Sequence, residues 1–220
     1  KGLFQCLRIS DAEAHRIIAH PKIEGVTFTG SQRAGAAVAA SAGAAIKKTV
    51  LELGGSDPYL VLEDADIEHA AQVCVQARLM NAGQVCIAAK RFIVHAKVLK
   101  AFMACVQHLS AAYQMGDPMA HTTQLGPLAR SDLRTHLHQQ VQSSVAQGAR
   151  CLMGGQLPEG PGFFYPITLL TDVKPGMPAY HEELFGPVIC CLEAQNEQAA
   201  IRIANDTCFG LTAAVFSRDT

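Results

Sequence analysis

Tryptophan is absent from this chain, and so is any excess of positive charge. Eighteen Lys and Arg stand against nineteen Asp and Glu, leaving a formal net charge of −1. No basic field is available to grip a phosphate backbone, so the composition argues against a nucleic-acid partner. Long apolar runs are missing too. The longest stretch free of Asp, Glu, Lys and Arg runs from Ala101 to Gly116 and still contains Gln107, His108 and Gln114. A bilayer span needs about twenty mostly apolar residues, so no membrane association is expected. The opening residues, Lys1 to Cys6, carry neither the apolar stretch nor the small-residue cleavage pattern of a secretion signal. They also lack an initiator methionine, and the sequence reads as opening in mid-protein.

Cysteine is plentiful, with eight at positions 6, 74, 86, 105, 151, 190, 191 and 208. None form C-x-x-C pairs, and their spacings suit no zinc site; no metal is expected. Four disulfides are arithmetically possible. A chain of 220 residues with 49% apolar types does not need them, and free thiols in a reducing cytoplasm are the expectation. Cys74, inside Ala71-Gln72-Val73-Cys74-Val75, reads as a small core residue.

Apolar content of 49% against 17% charged residues is enough for a sizeable core and excludes intrinsic disorder. At about 150 residues per domain the length fits one large domain, or a domain with part of another. Along the chain, strand and helix signals alternate. Ser10-Asp11-Ala12-Glu13 has the pattern of a capping box opening a helix that stops near Pro21. Val26–Thr29 reads as a strand, followed by an alanine-rich helix to about Ala45 and a strand at 49–53. Another strand is expected at 59–62, then a helix capped by Asp64 or Asp66 and running to about Met80. Strands at 91–95, 188–192 and 211–216 and helices at 97–113, 130–147 and 198–204 complete the series. This order implies an α/β fold with a largely parallel sheet.

Four segments carry candidate chemistry. Phe28-Thr29-Gly30-Ser31-Gln32-Arg33-Ala34-Gly35 runs from strand through a glycine turn into a helix start, where backbone N–H groups and the helix dipole favour an anion. An ordinary strand–helix turn would look the same. Leu51-Glu52-Leu53-Gly54-Gly55 sets a carboxylate in an apolar run. If desolvated it would suit a general base, while simple alternation would point it to solvent; the two glycines admit close backbone approach. Asn81-Ala82-Gly83-Gln84-Val85-Cys86 leads a cysteine out of a glycine loop into a helix-forming run, with Lys90 and Arg91 nearby. Such a setting favours a thiolate, although a buried cysteine is the plain alternative. Glu182-Glu183-Leu184-Phe185-Gly186-Pro187 places two acids before a Gly-Pro turn. A carboxylate there can accept from two vicinal ribose hydroxyls, or it can be a solvated acidic loop.

In order and spacing, FTGS, LELGGSDP, NAGQVC, EELFGPV and NDTCFGL together resemble the aldehyde dehydrogenase superfamily over essentially all 220 residues. The fuller runs LELGGSDPYLVLEDAD, GQVCIAAKRFIVH, QLGPLAR, GFFYPITLLTDVKPGMPAYHEELFGPV and ANDTCFGLTAAVF resemble its bacterial NAD(P)-dependent succinate-semialdehyde dehydrogenase branch. The resemblance implies the tail of a Rossmann-like dinucleotide-binding domain over residues 1–52 and a catalytic domain, incomplete at its end, over 53–220. It implies oxidation of an aldehyde, succinate semialdehyde by the branch, to a carboxylate with NAD or NADP through a cysteine thiohemiacetal and thioester. Cys86 would be the nucleophile and Glu52 the base that activates water. Gly30 and Ser31 would lie at the pyrophosphate, Leu53 and Gly54 at the nicotinamide, Glu183 at its ribose and Phe185 against the cofactor. The whole protein would be a homo-oligomer acting on a small aldehyde, whereas these 220 residues alone would be catalytically silent.

Two departures stand out. Some members on succinate semialdehyde carry an arginine six residues before the nucleophile to meet the substrate carboxylate. Met80 holds that position here, and Arg78 is two residues out of register. Val85 beside Cys86 means there is no vicinal thiol. A reductase or acylating member would pass the thioester to another acceptor, and Glu52 argues against that variant.

Overall fold

Ser10 opens the first helix. Its Oγ accepts the Glu13 N–H at 3.3 Å while Glu13 Oε2 accepts the Ser10 N–H at 2.8 Å, the reciprocal capping the sequence pattern predicts. The computed structural model describes residues 2–219, and its chain contacts divide between Gly54 and Gly55.

The first unit holds α1 (Asp11–Ala19), β1 (Gly25–Thr29), α2 (Gln32–Ala44) and β2 (Lys48–Glu52). β1 and β2 pair in parallel, with Phe28 opposite Leu51 and Thr29 opposite Glu52, so α2 is the crossover of a β–α–β unit. Both strands alternate exposed and half-buried residues. α1 packs on α2, and His15 Nδ1 lies 2.6 Å from Ser41 Oγ.

The second unit runs β3 (Asp57–Val61), α3 (Ile67–Leu79), a 3-10 turn (Met80–Gly83), β4 (Ala89–His95), α4 (Ala96–Ala111), α5 (Ser131–Ala146), β5 (Arg150–Met153), β6 (Thr168–Thr171), α6 (Pro178–His181), β7 (Val188–Ala194), α7 (Glu197–Asn205) and β8 (Ala214–Phe216). Its sheet has the order β5-β6-β7-β4-β3-β8. Every pairing is parallel except β5 with β6. β4 is buried at all its positions and β7 at all but Glu193. That fits the apolar runs Phe92–Val94 in β4 and Val188–Leu192 in β7, since a central parallel strand is covered on both faces. Phe92 meets Phe102 of α4 edge to face at 5.9 Å, and Cys74 and Val75 of α3 join the same core. Asp66 is the residue that caps α3, through the His69 N–H at 3.1 Å. None of the described helices is long and apolar enough to cross a membrane.

β5 and β6 are not among the strands expected from the sequence. Cys86 is also not at a helix start: residues 86–88 form a turn that runs directly into β4. The Ala88-Ala89 pair favours helix locally, but parallel pairing of Ala89 with Asp57 overrides that preference.

Candidate functional site

α3 delivers the chain to a strained turn. Asn81 and Ala82 adopt left-handed backbone angles, φ 50° and 55°, and Gly83 follows at φ 75°. Two consecutive non-glycine residues in that region cost roughly 1–2 kcal/mol each, so neighbours must hold the turn. A Cβ on Gly83 would fall inside the backbone carbonyl of Gly186, so this position needs glycine for both space and angle. Gln84 adds side-chain ties: Oε1 accepts the Ala129 N–H at 2.8 Å and Nε2 donates to the Asn81 carbonyl at 3.1 Å.

Arg78 provides the main clamp. It is wholly buried. Nε donates to the Val188 carbonyl at 2.6 Å, Nη2 to Leu184 at 2.6 Å and also to Gly186, and Nη1 to Gly83 at 3.4 Å. A planar guanidinium fork can serve several carbonyls at once. It thereby binds the turn before Cys86 to the segment after Glu183. Its donors face the main chain, which removes Arg78 as a ligand for a substrate carboxylate. Met80, at the register position, is 57% exposed.

Cys86 itself is half-buried. Its carbonyl accepts from Lys90 Nζ at 2.7 Å, and Nζ also reaches the carbonyls of Val85 at 3.0 Å and Ala88 at 3.4 Å. The same ammonium lies 3.3 Å from Glu183 Oε1. Burial lowers the Lys90 proton affinity first, with the Arg78 charge adding to it, and Glu183 opposes both. Gly55 N–H donates to Glu183 Oε1 at 3.2 Å. A Cβ on Gly55 would stand 2.9 Å from the Cys86 carbonyl. The close backbone approach that Gly54-Gly55 allow is therefore made, at Gly55, by the cysteine loop. Lys90 and Arg91 do not act together on the thiol. Adjacent strand residues point to opposite faces, and Arg91 turns to the carbonyls of Ser56, Ile203 and Ala204 at 2.9, 2.9 and 3.0 Å.

Glu182 and Glu183 divide. Glu182 is exposed, and its Oε2 accepts Gln140 Nε2 at 2.7 Å. The Glu183 side chain is 19% exposed and held through Oε1. Phe185 is half-buried two residues on.

Within the first unit, Ser31 caps α2, its Oγ accepting the Ala34 N–H at 3.3 Å. The Gly30 N–H donates to the Glu52 carbonyl at 3.0 Å, joining the ends of both strands. The first turn of α2 contains no acidic residue. Leu53 packs on α2, where a Cβ on Gly35 would stand 2.5 Å from Leu53 Cδ2. Gly54 is half-buried, whereas the Glu52 side chain is exposed and follows the strand alternation.

The structure thus brings Cys86, Glu183 and Gly55 together around Lys90, and Gly30, Ser31, Glu52 and Leu53 around the β1–α2 turn. The holding roles of Arg78, Lys90 and Gln84 are not legible in the sequence. The available signal is Lys90-Arg91 directly ahead of the apolar run Phe92-Ile93-Val94, since buried cations need acceptors.

A model of the Aldehyde dehydrogenase family matches residues 1–220. A succinate semialdehyde dehydrogenase of Escherichia coli, named for NAD(P)+, is 48% identical over 219 residues, covering 100% of this chain and 47% of its own length. The chain therefore spans about half the length of the curated relatives it matches. Among solved structures, succinic semialdehyde dehydrogenase from Streptococcus pyogenes in complex with NADP+ superposes with a TM-score of 0.93 at 37% identity, over 96% of this chain and 46% of that one. Lactaldehyde dehydrogenase from Escherichia coli gives 0.91 at 37%, over 94% and 43%.

Proposed function

This chain belongs to the aldehyde dehydrogenase family, and on that premise we propose that the protein carrying it oxidises succinate semialdehyde to the carboxylate, with NAD or NADP as electron acceptor. Residues 1–52 contribute to the dinucleotide-binding part and 53–220 to the catalytic part. The observation that carries this reading is the tie between the half-buried Cys86 loop and the Glu183 carboxylate through one buried ammonium, Lys90. A nucleophile and a polar cofactor ligand need such fixed relative placement.

The residues fit a dinucleotide. Glu183 Oε2 has no hydrogen-bond partner among the described residues and can accept ribose hydroxyls. The capped, acid-free start of α2 at Gly30 and Ser31 suits the pyrophosphate. Leu53 and Gly54 would border the nicotinamide, and Phe185 would pack beside it. When bound, the nicotinamide takes up the two electrons that leave the substrate carbon.

The chain's own groups perform the rest. The Cys86 sulfur bonds to the aldehyde carbon, giving a hemithioacetal whose oxyanion can be met by the Cys86 N–H. After oxidation the carbon remains on sulfur as a thioester. Glu52 takes a proton from water, the resulting hydroxide adds to the thioester carbon, and the carboxylate leaves as the thiolate is released. The choice of succinate semialdehyde is supported by relatives of that name.

The test uses the protein that carries this chain, mixed with succinate semialdehyde and NADP+. Cys86→Ala should abolish oxidation. Glu52→Gln should stall after acylation and show an acyl adduct on Cys86 by intact mass. Full turnover by Cys86→Ala removes the cysteine from the mechanism; normal turnover by Glu52→Gln without an adduct removes the glutamate. Faster oxidation of a lactaldehyde-type substrate would replace the proposed aldehyde.

A further inference from the structure

We infer that Lys90 is a positioning residue that fixes the Cys86 loop and the Glu183 carboxylate as a single piece, an inference that rests on the roles of Cys86 and Glu183 proposed above. Its Nζ meets four acceptors: the carbonyls of Val85, Cys86 and Ala88 at 3.0, 2.7 and 3.4 Å, and Glu183 Oε1 at 3.3 Å. An ammonium has three protons, and these acceptors consume them all. The side chain is 1% exposed. A buried ammonium is costly unless its acceptors are present together, so the charge favours the arrangement in which the cysteine loop and the Glu183 segment are both seated.

The other charged groups around it do not offer a substitute. Arg78 lies close but donates to the carbonyls of Gly83, Leu184, Gly186 and Val188. Asp57 is bound by Thr212, through N–H at 3.1 Å and Oγ1 at 2.8 Å. Arg91 faces the carbonyls of Ser56, Ile203 and Ala204. Glu183 is therefore the carboxylate that pairs with Lys90. With Oε1 held by both Lys90 and the Gly55 N–H, the carboxylate cannot rotate freely, and Oε2 is presented in one direction. Lys90 thereby sets the orientation of the ribose-binding oxygen and of the peptide that bears the thiol.

A double-mutant cycle tests this by calorimetric titration of NADP+ into the protein that carries this chain. Lys90→Met and Glu183→Gln are each expected to weaken NADP+ by about tenfold, and the double variant to be no more than about threefold weaker than either. In parallel, Lys90→Met should change the rate of Cys86 alkylation by iodoacetamide at least about fivefold without cofactor, since the loop loses its tether. Lys90→Gln, which keeps a donor but no charge, serves where the methionine variant does not fold. A Lys90 variant that binds NADP+ and alkylates like the wild type, or effects that multiply in the double variant, overturns the inference while leaving Glu183 in place. Wild-type NADP+ affinity in Glu183→Gln removes Glu183 from the cofactor site, and the inference falls with it.

Discussion

Arg78 Nε donates to the Val188 carbonyl at 2.6 Å, joining the last turn of α3 to the first residue of β7. Arg78→Met would remove the guanidinium donors of the Gly83, Leu184, Gly186 and Val188 carbonyls in a buried setting, leaving Leu184 and Gly186 with the backbone N–H groups of Gly186 and Val188. The loss should be about 2–4 kcal/mol. Arg78→Lys should recover only part of it, because an ammonium cannot reproduce the planar fork. Urea unfolding measures both, and an unchanged midpoint in the methionine variant would contradict the clamp.

Gly83→Ala should be costly for two separate reasons. The position has φ 75°, and the added methyl would overlap the Gly186 carbonyl. A loss of about 2–4 kcal/mol is expected, with a changed rate of Cys86 alkylation as the turn shifts. Gly43, where an added Cβ meets nothing, gives the control: alanine there should stabilise α2 by up to about 1 kcal/mol.

Native alkylation at pH 8 should sort the thiols. Cys74, Cys190 and Cys191 are buried, and desolvation holds their thiols protonated, with Cys190 pushed up to about 12. They should stay unlabelled while the exposed Cys6, Cys151 and Cys208 react. Peptide mass mapping reads the pattern, and rapid labelling of Cys190 would show that β7 opens readily.

Alkaline stability offers a further check. Burial pushes the Tyr165 phenol up to about 12, from about 10 in an unfolded chain. A group raised in this way contributes its full stability below about pH 10 and loses it as pH rises through about 12. Tyr165→Phe cannot ionise, so its stability should fall less steeply between pH 10 and 12, as followed by denaturant midpoints. Parallel slopes would contradict this.

Much of the scaffold is legible from local chemistry. Ser10 and Glu13 announce α1, and the unbroken apolar run at 188–192 announces a central strand. β5 is not legible: Arg150-Cys151-Leu152-Met153 lies at the sheet edge, mostly exposed, and its pairing with β6 depends on residues about twenty positions away. The turn around Cys86 is misread as a helix start because alanines 88 and 89 carry a local preference that strand pairing defeats. Glu183 stands out as an acid before a Gly-Pro turn, but its partner lies 93 residues earlier in the chain. Spacing rules do not connect such distant positions; only the topology that sets β4 beside β7 does.

The backbone-to-backbone meeting of Gly83 with Gly186 bears on how relatives of this protein can exchange parts. Segments 81–87 and 183–188 form a matched pair. A chimera that takes one from a donor and keeps the other from the host inherits two halves shaped for different mates. Crossovers placed between them should yield fewer folded hybrids than crossovers that move both together.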